Sequence, residues 1–171
     1  MKILGAVVVI TASTMAGWIY SSLLKKRIKI IGDIIQALHW LVTEIGYATV
    51  PLMEASSKIS GRIQGEARII FSGFTEELLA SKGLIADEAW QKNLAACRKK
   101  LFLHNQDWMI LENFGRTLGN TDREHQLSAI RQNVERLKVQ EEEAIKDQEK
   151  NEKLYRYLGI AIGALVILIF Y

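Results

Sequence analysis

The chain has 171 residues, with 22 Lys and Arg against 19 Asp and Glu, one Pro and one Cys. At 49% apolar residues it is neither disordered nor linker-rich, and a single thiol excludes a disulfide framework or a multi-thiolate metal site. A net charge of +3 over so many ionised side chains is too small an excess to mark a nucleic-acid binder.

The charges are unevenly placed: all except Lys2 lie between Lys25 and Arg156. From Ile3 to Leu24 runs an uncharged stretch of 22 residues, about 33 Å as a helix and enough to cross a bilayer core of about 30 Å. Trp18 and Tyr20 fall near its end, and Lys25, Lys26, Arg27 and Lys29 follow. A cleaved signal peptide with small residues around Thr14-Met15-Ala16 is the rival reading. The positive charge stands on the wrong side of the apolar run for that.

Helical spacing dominates the middle of the chain. Ile31, Ile34, Ile35, Leu38, Leu41, Val42 and Ile45 form one apolar stripe over about five turns. Glu44 and Tyr47 flank it three residues apart; a half-buried carboxylate there needs a donor, either Tyr47 or an Arg from a facing helix, unless the pair lines a partner groove. Pro51 suits the first turn of a second helix that ends near Gly61. A third carries Ala67, Ile70, Phe71, Phe74 and Leu78 and stops around Lys82-Gly83. A fourth carries Ala89, Trp90, Leu94 and Cys97, the last read as a packed thiol. Arg98-Lys99-Lys100 reads as a solvated helix end. A fifth opens with Asn105 as N-cap, shows Trp108, Leu111, Phe114 and Leu118, and closes at Gly119 as C-cap. Gly115 and Gly119 allow close helix approach or a tight turn.

The sixth helix opens at Asn120 or Thr121, with Asp122 in its first turn, and no Pro or loop-like cluster interrupts it before Tyr171. Leu127, Ile130, Val134 and Leu137 give its first part an apolar stripe. Residues 138–153 are nearly all charged or amide and read as a solvated stalk of about 24 Å, with Glu141–Glu143 as a secondary candidate for a basic partner. The C-terminal run from Tyr157 to Tyr171 is uncharged and short; with Leu154, Tyr155 and a snorkelling Arg156 it reads as a thin crossing. Lys146, Lys150, Lys153 and Arg156 crowd its inner flank. Both basic clusters face the middle region, which the positive-inside rule places in the cytoplasm with both termini outside. Gly159 and Gly163 form a GxxxG notch for helix packing in lipid.

The expected fold is therefore all-α: a six-helix cytoplasmic bundle with a long last helix, flanked by an N-terminal and a C-terminal transmembrane helix. The expected divisions are 1–24 for the first span, 25–137 for the bundle, 138–153 for the polar stalk and 154–171 for the second span.

Reactive constellations are missing from the sequence. His39, His104 and His125 are far apart, none in HExxH, and there is no GxSxG, GxxxxGK[ST] or GxGxxG after a strand. Glu124 and His125 are adjacent, which points their side chains about 100° apart on a helix, poor geometry for a dyad. No catalytic residue, metal site or cofactor is expected, and the chain reads as a non-enzyme.

Three strings carry a resemblance: Glu44-Ile45-Gly46-Tyr47 with Pro51-Leu52; Phe114-Gly115-Arg116-Thr117-Leu118-Gly119-Asn120-Thr121-Asp122 with Gln126 and Ile130; and Asn151-Glu152-Lys153-Leu154-Tyr155-Arg156-Tyr157-Leu158-Gly159. Together they resemble the stage III sporulation protein AB family of endospore-forming bacteria, over essentially the whole chain. Val50 ahead of Pro51 and Ala86 before Glu88-Ala89-Trp90 stand where Thr or Ser is expected. The resemblance implies a component of the channel joining mother cell and forespore, in the mother-cell membrane around the forespore. It implies a helical domain related to the F component of type II secretion platforms. It further implies a cytosolic secretion-type ATPase, the AA protein of the same set, as partner, along with other membrane and ring components of the channel and the lipid bilayer. Candidate contact surfaces are the faces around Glu44, Tyr47 and Pro51, the Phe114–Asp122 turn with Gly115, Leu118 and Gly119, the position of Gln126, and the acidic stalk. These positions serve either partner contact or fold-keeping. A membrane-tethered helical signalling or adaptor dimer is the alternative function.

Overall fold

The computed structural model describes residues 2–47, 50–80, 85–119 and 123–170; within its helices the side chains of 2–14, 16, 18 and 155–170 are outside that description. Among the described residues there are six helices and no strand: α1 Lys2–Gly46, α2 Leu52–Arg62, α3 Arg68–Ala80, α4 Ala86–Cys97, α5 Asn105–Gly115 and α6 Arg123–Phe170. The chain divides into two compact units, residues 27–142 and residues 1–26 with 143–171.

The bundle and its long last helix are as the sequence pattern leads one to expect, with one difference at the start. No separate N-terminal helix precedes the bundle: α1 runs unbroken from Lys2, because no glycine, proline or turn-forming cluster separates Leu24 from Ile31. The expected spans, 1–24 and 154–171, are helical in backbone where described, but most of their side chains, with Gly159 and Gly163, lie outside the described residues. Among the described residues no helix is long and apolar enough to cross a membrane.

In the 27–142 unit, α1 and α6 run antiparallel. Arg123 Nε donates to the Ile45 carbonyl at 3.0 Å at one end, and Arg27 Nη2 donates to Gln140 Oε1 at 3.2 Å at the other. Ile31, Ile34, Leu38, Leu41 and Ile45 are buried on α1, and Ile130, Val134 and Leu137 on α6. The shorter helices complete the core around Trp90, whose ring meets Phe71, Phe74 and Phe114 edge-on at centroid distances of 5.9, 5.0 and 5.1 Å. Its indole N–H donates to the Leu111 carbonyl at 2.8 Å, which ties α4 to α5 and leaves no buried donor idle there. Gly115 is the position that lets α5 approach: a Cβ there would stand 2.3 Å from Trp90 Cδ1.

Two expected boundaries shift by local chemistry. The N-cap of α5 is His104 rather than Asn105, because the Asp107 carboxylate accepts from the His104 backbone N–H at 2.8 Å and closes the first turn one residue earlier. The α-helix then ends at Gly115 rather than reaching Gly119. Thr117 and Leu118 continue as a tighter turn, donating to the carbonyls of Phe114 and Gly115, and Gly119 closes it at φ +82°. Pro51 is the residue just before α2, its carbonyl accepting from Ala55 N. The opening of α6 at Asn120 or Thr121 lies outside the described residues.

Two polar readings are corrected. Arg27 is not part of an exposed basic cluster: it is 2% exposed, and its guanidinium donates to both Asp107 carboxylate oxygens, Nε to Oδ2 at 2.8 Å and Nη2 to Oδ1 at 2.9 Å. Nor is the segment from 138 onward solvated on every face. Gln140 is buried because its amide oxygen serves the same guanidinium, and Glu141 lies against Gly32, with burial pushing its carboxyl upward in pKa. One guanidinium thus links α1, α5 and α6.

Asp33 shows the opposite case. Its Oδ2 is buried with no hydrogen-bond partner among the described residues, and burial raises its pKa against the opposing pull of Lys29. A carboxyl raised in the fold favours folding below its unfolded pKa and loses that contribution as pH rises through the folded value. Asp33→Asn should therefore raise the unfolding midpoint at pH 7, with the gain vanishing below about pH 4, the range of an unfolded aspartate; thermal melts across that range test it. Asp107→Ala strands the buried Arg27 charge and removes the α5 cap, and should lower stability by about 3–5 kcal/mol in urea unfolding. Gly115→Ala should lower it by about 1–3 kcal/mol through overpacking. Gly61→Ala, with nothing within 4 Å, should be neutral or slightly stabilising.

Candidate functional site

The residues flagged by the sequence gather mainly at one end of the bundle, where the last turns of α1, α3 and α5 meet the first turns of α2, α4 and α6. Arg123, opening α6, donates to the carbonyls of Ile45 and Gly46 at the end of α1. Ser56 and Thr75 share a hydrogen bond of 2.8 Å that sets α2 beside α3, so the first turn of α2 lies level with the last of α3. Gly119 approaches Ala86, the first residue of α4. The first two resemblance strings, far apart in the chain, are therefore neighbours at this end.

Their members divide sharply by exposure. Phe114, Gly115 and Leu118 are buried, with Leu118 at 0%, so in the folded bundle they pack and do not offer a contact surface. Glu44 is 9% exposed and faces two cations of α2, Lys58 Nζ at 3.4 Å and Arg62 Nη1 at 3.3 Å. The facing helix thus supplies the donors, and Tyr47 does not; its side chain is 85% exposed. Both cations are themselves substantially exposed, which holds this pair to the modest contribution of surface ion pairs. Pro51 and Gly119 are exposed and Gln126 is half-buried, while Asp122 lies outside the described residues.

The same end exposes Tyr47, Met53, Leu79 and Ile85. All four stand at the ends of successive helices, α1 to α4. Beneath them the space lined by Leu41, Leu52, Phe71, Phe74, Trp90 and Phe114 holds only about 10 Å³, room for one water at most. A small-molecule ligand has no place there. Met53, Leu79 and Ile85 went unmarked in the sequence because they lie at helix ends, where too few turns remain for periodicity to say which of two adjacent apolar residues, such as Leu78 and Leu79, faces out.

Among the described residues no three His, Cys, Asp or Glu side chains are arranged to hold a metal ion. Cys97 is buried, its Sγ 3.7 Å from the Ile69 carbonyl and from Asn93 Oδ1, and burial pushes the thiol pKa up. Arg98 is held by Glu112 at 3.2 Å and lies 5.9 Å from the centre of the Trp108 ring, so this cation belongs to the bundle's own surface.

The described residues thus form an all-α bundle with large apolar side chains exposed near one set of helix ends. The family description of stage III sporulation protein AB matches residues 2–171. The chain is 34% identical to stage III sporulation protein AB of Bacillus subtilis (strain 168) over 170 residues, covering 99% of this chain and 98% of that protein. A solved structure of a stage III sporulation protein AB, 30% identical, superposes with a TM-score of 0.68 over 73% of this chain and 98% of its own. The chain belongs to the stage III sporulation protein AB family.

Because the Cys97 thiol is both buried and poorly ionised, its labelling by a water-soluble disulfide reagent at pH 8 should be negligible in the folded protein. Labelling should become complete in denaturant; fast labelling of native protein would contradict the packing described.

Proposed function

We propose that this chain is a non-enzymatic platform component of the channel between mother cell and forespore. In this reading the helical body lies in the mother-cell cytoplasm, anchored through segments 1–24 and 154–171 in the membrane around the forespore, with both termini outside. It couples a cytosolic secretion-type ATPase, similar to stage III sporulation protein AA, to the membrane and ring components of the assembly, and has no active site of its own.

The observation that carries the reading is the apolar surface of Tyr47, Met53, Leu79 and Ile85 at one end of the bundle. It lies beside both bundle strings of the family resemblance, on a body whose described residues hold no metal-binding cluster. The charge partition along the chain supports the anchoring: apolar ends without acidic residues, each followed or preceded by Lys and Arg. The relation to the F component of secretion platforms that the resemblance implies supports an ATPase as the partner.

Two experiments test this. In a pull-down with the ATPase, Tyr47→Ala combined with Ile85→Glu should weaken capture at least tenfold. The unfolding midpoint should barely move, since exposed substitutions shift stability by about 0.5 kcal/mol or less. Capture unaffected by charge reversals on every exposed face of the bundle would refute the coupling role. Reporter fusions at the N-terminus, at the loop after Gly61 and after Tyr171 should place only the middle one in the cytoplasm; a cytoplasmic C-terminus would overturn the two-span topology.

A further inference from the structure

On a different face of the 27–142 unit, α5 and α6 enclose a groove. Its walls are Gln106, Met109, Ile110 and Asn113 from α5, at the i, i+3, i+4, i+7 spacing of one helical face, and Arg136, Val139 and Gln140 from α6. The space is about 370 Å³ and opens to solvent. The eleven residues of α5 extend about 16 Å, or three turns of a helix laid alongside. Two of the apolar walls face water in the isolated chain: Met109 is 57% and Val139 54% exposed. Methionine at such a place suits a surface that adapts to an apolar side chain.

Charge narrows the occupant. Arg136 is the one ionisable residue in the groove wall, and among the described residues it has no ion-pair or hydrogen-bond partner. The remaining polar groups are the amides of Gln106, Asn113 and Gln140, which bring no charge of their own. A second copy of this chain seated symmetrically would set one Arg136 against the same groove of the other, cation toward cation, which opposes self-association. A segment with an apolar face and a carboxylate is complementary to both the walls and the cation.

We propose that the α5/α6 groove docks an amphipathic helix of a partner protein, which seats apolar side chains between Met109 and Val139 and presents a carboxylate to Arg136. This is the helix-in-groove mode, with anchors at helical spacing. The floor of the groove is stiff, because Gln140 on its wall is held by Arg27 and Gln106 precedes the buried Asp107. The site is separate from the bundle-end surface and does not depend on what docks there.

The test uses the full chain in sporulating cells, with a photoreactive benzophenone side chain in place of Val139, of Met109, or of Ser57 on α2 as control. A protein adduct is expected from the first two positions and not from the third. The adducted peptide should come from a helix with one apolar face and an Asp or Glu within a turn of it. Arg136→Glu should cut the yield at least tenfold and Arg136→Lys should preserve it. Reversing the partner carboxylate to Lys should restore the yield with Arg136→Glu. Should Arg136→Glu lower the unfolding midpoint of the purified chain, Arg136→Gln replaces it, with a threefold loss expected. No adduct, an adduct with lipid or with a second copy of the chain, or a yield indifferent to both Arg136 variants would overturn the proposal. An adduct that is not the ATPase supports this site, and loss of ATPase capture by the bundle-end variants remains a separate result.

Discussion

Three helices remote from one another in sequence meet at one buried guanidinium. Arg27 of α1 is bound by both oxygens of Asp107 on α5 and by the Gln140 amide on α6. A charge taken out of water is tolerable only when it is well partnered, and here a carboxylate and an amide oxygen accept from its Nε and Nη2. A sliding helix would break charge-assisted hydrogen bonds that water cannot replace at such a depth, whereas an apolar stripe slides at lower penalty. The arrangement thus sets the register of α1 against α5 and α6 more strictly than hydrophobic packing does. Asp107 has a second task, accepting from His104 N–H, so the ion pair and the start of α5 are fixed by the same carboxylate.

Packing around Trp90 supplies the complementary constraint. Three aromatic rings meet it edge-on and its N–H is satisfied by α5, so α3, α4 and α5 are joined through one side chain. The Phe-Gly pair at 114–115 belongs to this arrangement: Phe114 is one of the rings, and Gly115 makes the room that the indole occupies. Residues that drew notice as a motif thereby turn out to hold the core. On the neighbouring surface Tyr47 and Ile85 are exposed to solvent.

Much of the architecture is legible in the residues. The stripes on α1 and α6, the Trp90-centred helix and the stop at Gly119 follow from 3.6-residue periodicity and from glycine and proline placement. Even the buried ion pair left a trace, since Arg27 continues the stripe of Leu24, Ile31 and Ile34, and Gln140 continues that of Val134 and Leu137. Read as composition, those two residues pass for a topology signal and a solvated stalk; read as register, they fall on the buried side. The pairing itself was beyond reach, because 80 residues separate Arg27 from Asp107 and helical periodicity speaks only of neighbours within a turn or two.

By itself, the sequence determined the helical class, the uncharged ends around a charged middle, and the family, because all three rest on local pattern and on strings of residues in order. Tertiary structure alone decided which polar residues are inside, where α5 begins, and that strings 60 residues and more apart share one end of the bundle. It also decided the groove between α5 and α6. Burial, ion pairing and concavity depend on what a neighbouring helix places opposite a residue, and no single stretch of chain contains that information.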